Sequence, residues 1–278
     1  MSHSKIKLTT LFTIGILFLG FFQVNAQKWE FGALAGGSFY FGDLNPRYNF
    51  LSPGGGMNLL LRHNFDGRIC VKGTIGYNYL WADDKNAKTE FARARNLSFF
   101  SNTFDGSIQV EFNFDPFHSG TRQQTRDKKA TFYLSTGLGI VFFKPKTTYE
   151  GIVYDLRALG TEGQAVGDEY RTVTPAWLIG GGAKFDINRN WSINIEVMGT
   201  LTFSDYLDDV SGTYAHPSII NGHHGQIAAI LADRSLEVGD IAIGEAGRQR
   251  GDSKSKDAYM SARIGLVYRF LDINCPTY

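Results

Sequence analysis

Segment after segment of this chain alternates apolar and polar residues at period two, the mark of a strand whose faces meet different surroundings. The clearest run starts at Ala258: Met260, Ala262, Ile264, Leu266, Tyr268 and Phe270 share one face, while Ser261, Arg263, Gly265 and Arg269 share the other. From Trp191 onward, Ile193, Ile195, Val197, Leu201 and Phe203 oppose Ser192, Asn194, Glu196, Thr200 and Thr202. Phe100, Phe104, Ile108, Val110, Phe112 and Phe114 likewise oppose Ser101, Asp105, Gln109, Glu111 and Asn113. Weaker copies complete a set of eight strands, expected near 28–41, 54–63, 67–81, 97–114, 130–143, 174–187, 191–204 and 258–271. Most exceed the roughly 5–6 residues usual in soluble sheets and reach the roughly 9–11 that cross a bilayer at a tilt.

The connections alternate as well. Residues 64–67 and 188–190 are tight turns rich in Asn, Asp and Gly, and 115–129 is a moderate polar link. The links 42–53, 82–96, 144–173 and 205–257 are longer. This pattern predicts an all-β fold, an eight-stranded antiparallel transmembrane barrel of the outer membrane, with short periplasmic turns and long extracellular loops. A soluble two-sheet sandwich shows the same alternation. Strand length, loop asymmetry and aromatics at strand ends (Trp29, Phe41, Tyr79, Trp81, Trp191, Phe203, Phe270) weigh against it. Within the long extracellular loop 205–257, Gln226 to Leu236 reads as a short amphipathic helix, with Ile227, Ile230 and Leu231 set to pack on the barrel rim.

Residues 1–26 read as a cleaved export signal: Lys5 and Lys7, an apolar run from Leu11 to Phe22, and a small residue, Ala26, before the cut. That run is shorter than the roughly 20 apolar residues of a membrane-spanning helix. Residues 27–278 are then the barrel domain, placed in the cell outer membrane and in contact with its lipids.

Composition agrees. Gly is 32 of 278 residues and aromatics are 14%, as suits sheets that turn sharply and meet lipid headgroups. The 28 Lys and Arg against 27 Asp and Glu leave no basic footprint for nucleic acid. Two cysteines cannot supply a four-ligand zinc site. They are read as unbridged, because Cys70 and Cys275 sit on or beside strands three and eight, which are not neighbours.

With the apolar face toward lipid, the lumen collects Glu30, Arg62, Arg68, Lys72, Asp105, Glu111, Lys184, Asp186, Glu196, Arg263 and Arg269. Eight strands leave an interior just wide enough for side chains to fill, and unpaired buried charge is costly. These residues are therefore expected to pair into a plug, in preference to lining a conducting pore. The glycine runs 36–37, 54–56 and 180–182 fit bends and close strand approach; none has the context of a phosphate loop. Catalytic machinery is not expected, nor a cofactor or metal. His223-His224 lacks any paired ligand motif, and Asp205, Asp208 and Asp209 do not form a calcium-loop pattern.

Six phrases carry a family resemblance. They are Gly42-Asp43-Leu44, Arg95-Asn96-Leu97-Ser98-Phe99, Glu111-Phe112-Asn113-Phe114, Phe143-Lys144-Pro145-Lys146, Leu159-Gly160-Thr161-Glu162-Gly163-Gln164 and Ser204-Asp205-Tyr206-Leu207-Asp208-Asp209-Val210-Ser211. In this order the chain resembles the PorG-type outer-membrane barrel of the type IX secretion and gliding-motility machinery of Bacteroidota. The resemblance implies a non-enzymatic component associated with a periplasmic ring built from a lipoprotein and its partner protein. The stretch 215–257 departs from that pattern. A passive small barrel with an envelope-stabilising or adhesive role is the alternative. Arg122, Arg126, Lys128 and Lys129 in the periplasmic 115–129 link are the candidate partner contact, against lipid headgroups or an acidic surface, with a plain solvated turn as the other reading. Asp205, Tyr206, Asp208 and Asp209 are read as bracing the extracellular loops through side-chain bonds to backbone.

Overall fold

The structure, a computed structural model, describes residues 29–46, 49–50, 52–117 and 130–270. The export signal, the basic residues of the 115–129 link and Cys275 lie outside them. Eight long strands form the wall: β1 (Trp29–Phe41), β2 (Pro53–Asn64), β3 (Ile69–Asp83), β4 (Ser98–Asn113) and β5 (Ala130–Phe142), then β8 (Val173–Asp186), β9 (Trp191–Thr202) and β10 (Ala258–Arg269). A hairpin, β6 (Pro145–Tyr149) and β7 (Ile152–Asp155), rises between β5 and β8.

Every wall strand pairs antiparallel with its neighbour, and two contacts close the ring. β1 pairs with β10 from Glu30↔Arg269 to Phe41↔Ala258, and β3 pairs with β4 from Ile69↔Phe112 to Asp83↔Ser98. Closure satisfies every strand edge of the wall, which a bilayer demands because it offers no water to unpaired backbone. Among the described residues no helix is long and apolar enough to cross a membrane; the strands make the crossing.

Alternation sorts the side chains. Ile75, Ile108 and Leu138 are about 70% exposed on the outer wall, with Phe132, Phe104 and Ile264 among their exposed neighbours. An apolar belt this extensive around a closed polar interior is a lipid-facing surface. At its periplasmic edge Trp191 packs edge-on against Tyr268 and Trp29 against His63, as amphipathic rings do at headgroup level. Phe41, expected in the other girdle, is instead buried beside Phe50 from the following loop.

The interior is layered. The periplasmic half holds charged residues, with a small apolar cluster of Leu34, Leu60 and Val267 beside them. The extracellular half is an apolar core of Tyr40, Leu80, Phe99, Val141, Phe143, Ala176 and Tyr259, into which Leu207 and Val210 descend from the last loop. Short helices α1 (Glu90–Arg95), α2 (Pro217–His224) and α3 (Gln226–Ala232) build the rest of an extracellular cap. The expected 226–236 helix stops at Ala232, and Asp233 then turns back to accept from Ser235 and Gly244 amides.

Candidate functional site

Two features distinguish the molecule, a lumen network and a cap clasp. The inward phase of β1, β2, β3, β4, β8, β9 and β10 places the first. Glu111 is its hub: Arg62 Nε lies 2.8 Å from one carboxylate oxygen, Lys72 Nζ 3.1 Å from the other, and Lys184 Nζ 2.8 Å from the first. Arg62 also donates to Glu30 at 2.6 Å, Glu30 pairs with Arg269 at 3.0 Å, and Arg269 reaches Asp186 at 3.4 Å. At the other end Lys72 pairs with Glu196, which accepts the Tyr133 hydroxyl at 2.9 Å. Four carboxylates and four cations thus form one neutral chain, buried except at its partly exposed Asp186 end. Each charge has a partner, so the desolvation cost is offset, and removing one member strands another. Tyr133 reaches Glu196 because Gly182 beside it has no side chain; a methyl there would collide with the Tyr133 ring and the Ile195 carbonyl.

Asp105 and Arg263 join a separate lumen group through Asn78, which donates to Asp105 at 2.8 Å and accepts from Arg263 at 2.5 Å. Arg68 does not belong to the lumen. β3 begins only at Ile69, after Asp66 has tied back the Arg68 and Ile69 amides, so Arg68 is still in the turn, exposed and donating to the Phe114 carbonyl. Below the network Phe117 tucks under the barrel, its amide bonded to the Gly67 carbonyl and its ring 5.8 Å from the Arg269 guanidinium. Cys70 is fully buried, with the Asn113 amide 3.5 Å from its sulfur.

The clasp gathers phrases that are far apart in sequence. Thr89 caps α1, and Asn96 ends it in the left-handed region at φ 56°, which aims Arg95 inward. Arg95 grips both oxygens of Asp84 at 2.8 and 2.9 Å and donates to the Arg250 and Asp43 carbonyls. Glu162 accepts from the Ser211 and Gly212 amides at 2.9 and 3.0 Å and pairs with Arg250 at 3.2 Å. Asp209, at φ 71°, accepts the Thr161 and Tyr170 hydroxyls and lies 3.6 Å from Arg250. Burial outweighs Arg250 and lifts the Asp209 carboxyl to about 6. Tyr206 stacks on Tyr170 with centroids 4.4 Å apart, and Ser211 donates to Asp205 at 2.6 Å. Asp208 accepts Tyr40 Oη at 2.6 Å and the Leu44 and Val210 amides.

The Ser204–Ser211 segment therefore does more than brace the rim: its Leu207 and Val210 fill the mouth while its carboxylates take the bonds around them. Outside it, Arg234 binds Ser98 and Thr147 at 3.1 and 3.2 Å and pairs with Glu237, fastening the 215–257 stretch to the hairpin. His224 bonds the Gln164 carbonyl, and among the described residues no group of His, Cys, Asp and Glu is arranged to hold a metal. The apolar mouth is not anticipated above. Its signal is present: Tyr40, Leu80, Phe99, Val141, Ala176 and Tyr259 share the phase of the polar lumen residues on their own strands.

A family model described as a domain of unknown function, DUF6089, matches residues 9–216. No curated protein matches the chain. Among solved structures, Ail of Yersinia pestis, in complex with the heparin analogue sucrose octasulfate, is 13% identical, covering 87% of this chain and 99% of that one at a TM-score of 0.40. Neisserial surface protein A is 7% identical, covering 87% and 97% at 0.43. OprG, an outer membrane protein from Pseudomonas aeruginosa, is 10% identical, covering 89% and 97% at 0.42.

Proposed function

The chain belongs to the DUF6089 family, and from its closed, capped barrel we propose that it is an integral outer-membrane component of the type IX secretion system that anchors the periplasmic ring. The observation that carries this reading is the double closure. Ion pairs cross the periplasmic half of the lumen and the Ser204–Ser211 segment fills the extracellular mouth, which suits an anchor and not a conduit. The ordered phrases that resemble the PorG-type barrel support it, since four of the six meet in the clasp, Phe143 of a fifth lines the apolar mouth and Glu111 is the hub of the lumen. The partners are the ring lipoprotein and its companion protein. The surface offered to them is the 115–129 link with Arg122, Arg126, Lys128 and Lys129, basic residues suited to an acidic surface or to lipid headgroups. The role is non-enzymatic.

The deciding experiment is a deletion strain complemented with full-length protein or with protein lacking residues 118–128. Cargo export that fails on deletion and returns with the full chain supports the role. Export that proceeds normally without the protein or any paralogue favours the passive barrel. Ring proteins that co-purify with the full chain and not with the shortened one place the contact on the basic link.

A further inference from the structure

In the cap, two aspartates converge on one phenol. Tyr40 Oη lies 2.6 Å from Asp208 Oδ2 and 2.9 Å from Asp257 Oδ1, and all three side chains are within 2% of complete burial. A tyrosine hydroxyl carries one hydrogen and donates one bond. Two short oxygen–oxygen contacts need a second hydrogen, and only a protonated carboxyl can supply it. The remaining partners are amides that already donate: Leu44 and Val210 to Asp208, Leu207 to Asp257.

Among the described residues no cation contacts the pair, and neither aspartate forms an ion pair with Lys, Arg or His. Asp43 faces the pair from the segment after β1, Asp205 from the segment after β9, and both are acidic. Arg95 on α1 acts on Asp208 through space, but its hydrogen bonds are committed to Asp84 and two carbonyls, and Arg250 is committed to Glu162 and Asp209. Lys256 and Asp252, on the last loop, act on Asp205 and Asp43. Burial first, then the Asp257 and Asp43 charges, holds the Asp208 carboxyl well above the usual range; burial likewise holds Asp257 there.

We propose that the extracellular cap is latched by a proton shared among Asp208, Tyr40 and Asp257, so that acid fastens the cap and alkali loosens it. The latch joins the end of β1, the segment that fills the mouth and the residue just before β10. Ionising both carboxyls sets two charges against one another in a site that water does not reach, and the cheapest relief is for the 205–257 loop to lift. The sign follows from linkage: a carboxyl whose folded value is raised contributes stability that is lost as pH rises through that value.

The test is amide hydrogen exchange of the full protein in detergent micelles, corrected for the intrinsic pH dependence of exchange. Exchange in residues 205–211 should rise several-fold between about pH 5 and about pH 9, while wall strands stay protected. The double variant Asp208→Asn, Asp257→Asn should flatten that rise. A flat wild-type profile overturns the latch, as does a rise that persists in the double variant. Restoration of protection at about pH 9 by calcium chloride alone, reversed by chelation, also overturns it, by assigning the missing countercharge to a cation. Should the double variant fail to assemble, infrared spectroscopy of the wild type and of Asp257→Asn reads the same proton: a protonated carboxyl band at neutral pH that the single variant diminishes supports the latch, and a band that is absent from the wild type or unchanged in the variant refutes it.

Discussion

Lys72 on β3 and Glu196 on β9 stand on opposite walls of the barrel, four strands apart in either direction around the ring, and their side chains meet in its middle. A pair of this kind ties the walls together, with Glu111 and Tyr133 holding its two ends in place.

Reversing Glu196 to Lys leaves Lys72 facing a second cation and removes the acceptor of Tyr133. Breaking a buried pair costs roughly 3–5 kcal/mol. Denaturant unfolding in micelles should show a loss of that size, and a loss under about 1 kcal/mol, the value of a surface pair, would show that the lumen is hydrated.

Purified protein in planar bilayers should carry no large, stable conductance. The ionic layer and the Leu207–Val210 plug are two barriers in series, and both would have to move for ions to pass. Steady open-channel currents from the wild type would contradict this closure.

Leu207→Ala should act on the cap alone. Leu207 is completely buried among Leu80, Phe99 and Tyr259, and such truncations cost about 2–5 kcal/mol. Limited proteolysis should then cut within 205–257 while the wall stays folded. Equal loss in wall and cap would mean that the two melt as one unit.

Asp209 gives a pH dependence of its own. Its carboxyl is raised from 3.8 to about 6 by burial, so its contribution to the cap is complete below about 4 and is lost as pH rises through about 6. Acidification across that window should slow exchange at Thr161 and Tyr170, which donate to it, and Asp209→Asn should remove the change.

Strand phase is what the sequence makes legible. The alternation around Glu196 and Arg263 locates both lumen residues because period two is a local property of the backbone. The same alternation cannot reveal that Lys72 meets Glu196, since that depends on how the ring is sheared when it closes. Arg68 is misplaced by parity alone: the strand starts one residue later and the turn points elsewhere. The hairpin of β6 and β7 is missed because it turns on Glu150 and Gly151, both at positive φ, where a glutamate gives little warning. The clasp is legible only as phrases. Nothing local in Arg95 announces that it will bind the carbonyls of Asp43 and Arg250.

The seam between β1 and β10 has a consequence for biogenesis. β1 pairs with β2 along one edge, but its other edge finds a partner only in β10, across more than two hundred intervening residues, so the ring cannot shut before β10 has arrived. Until then β1 and the growing end both present unpaired backbone, the kind of edge that recruits foreign strands. Loop-closure entropy makes so long-range a pairing slow to form, so assembly of the barrel is limited by the seam between β1 and β10.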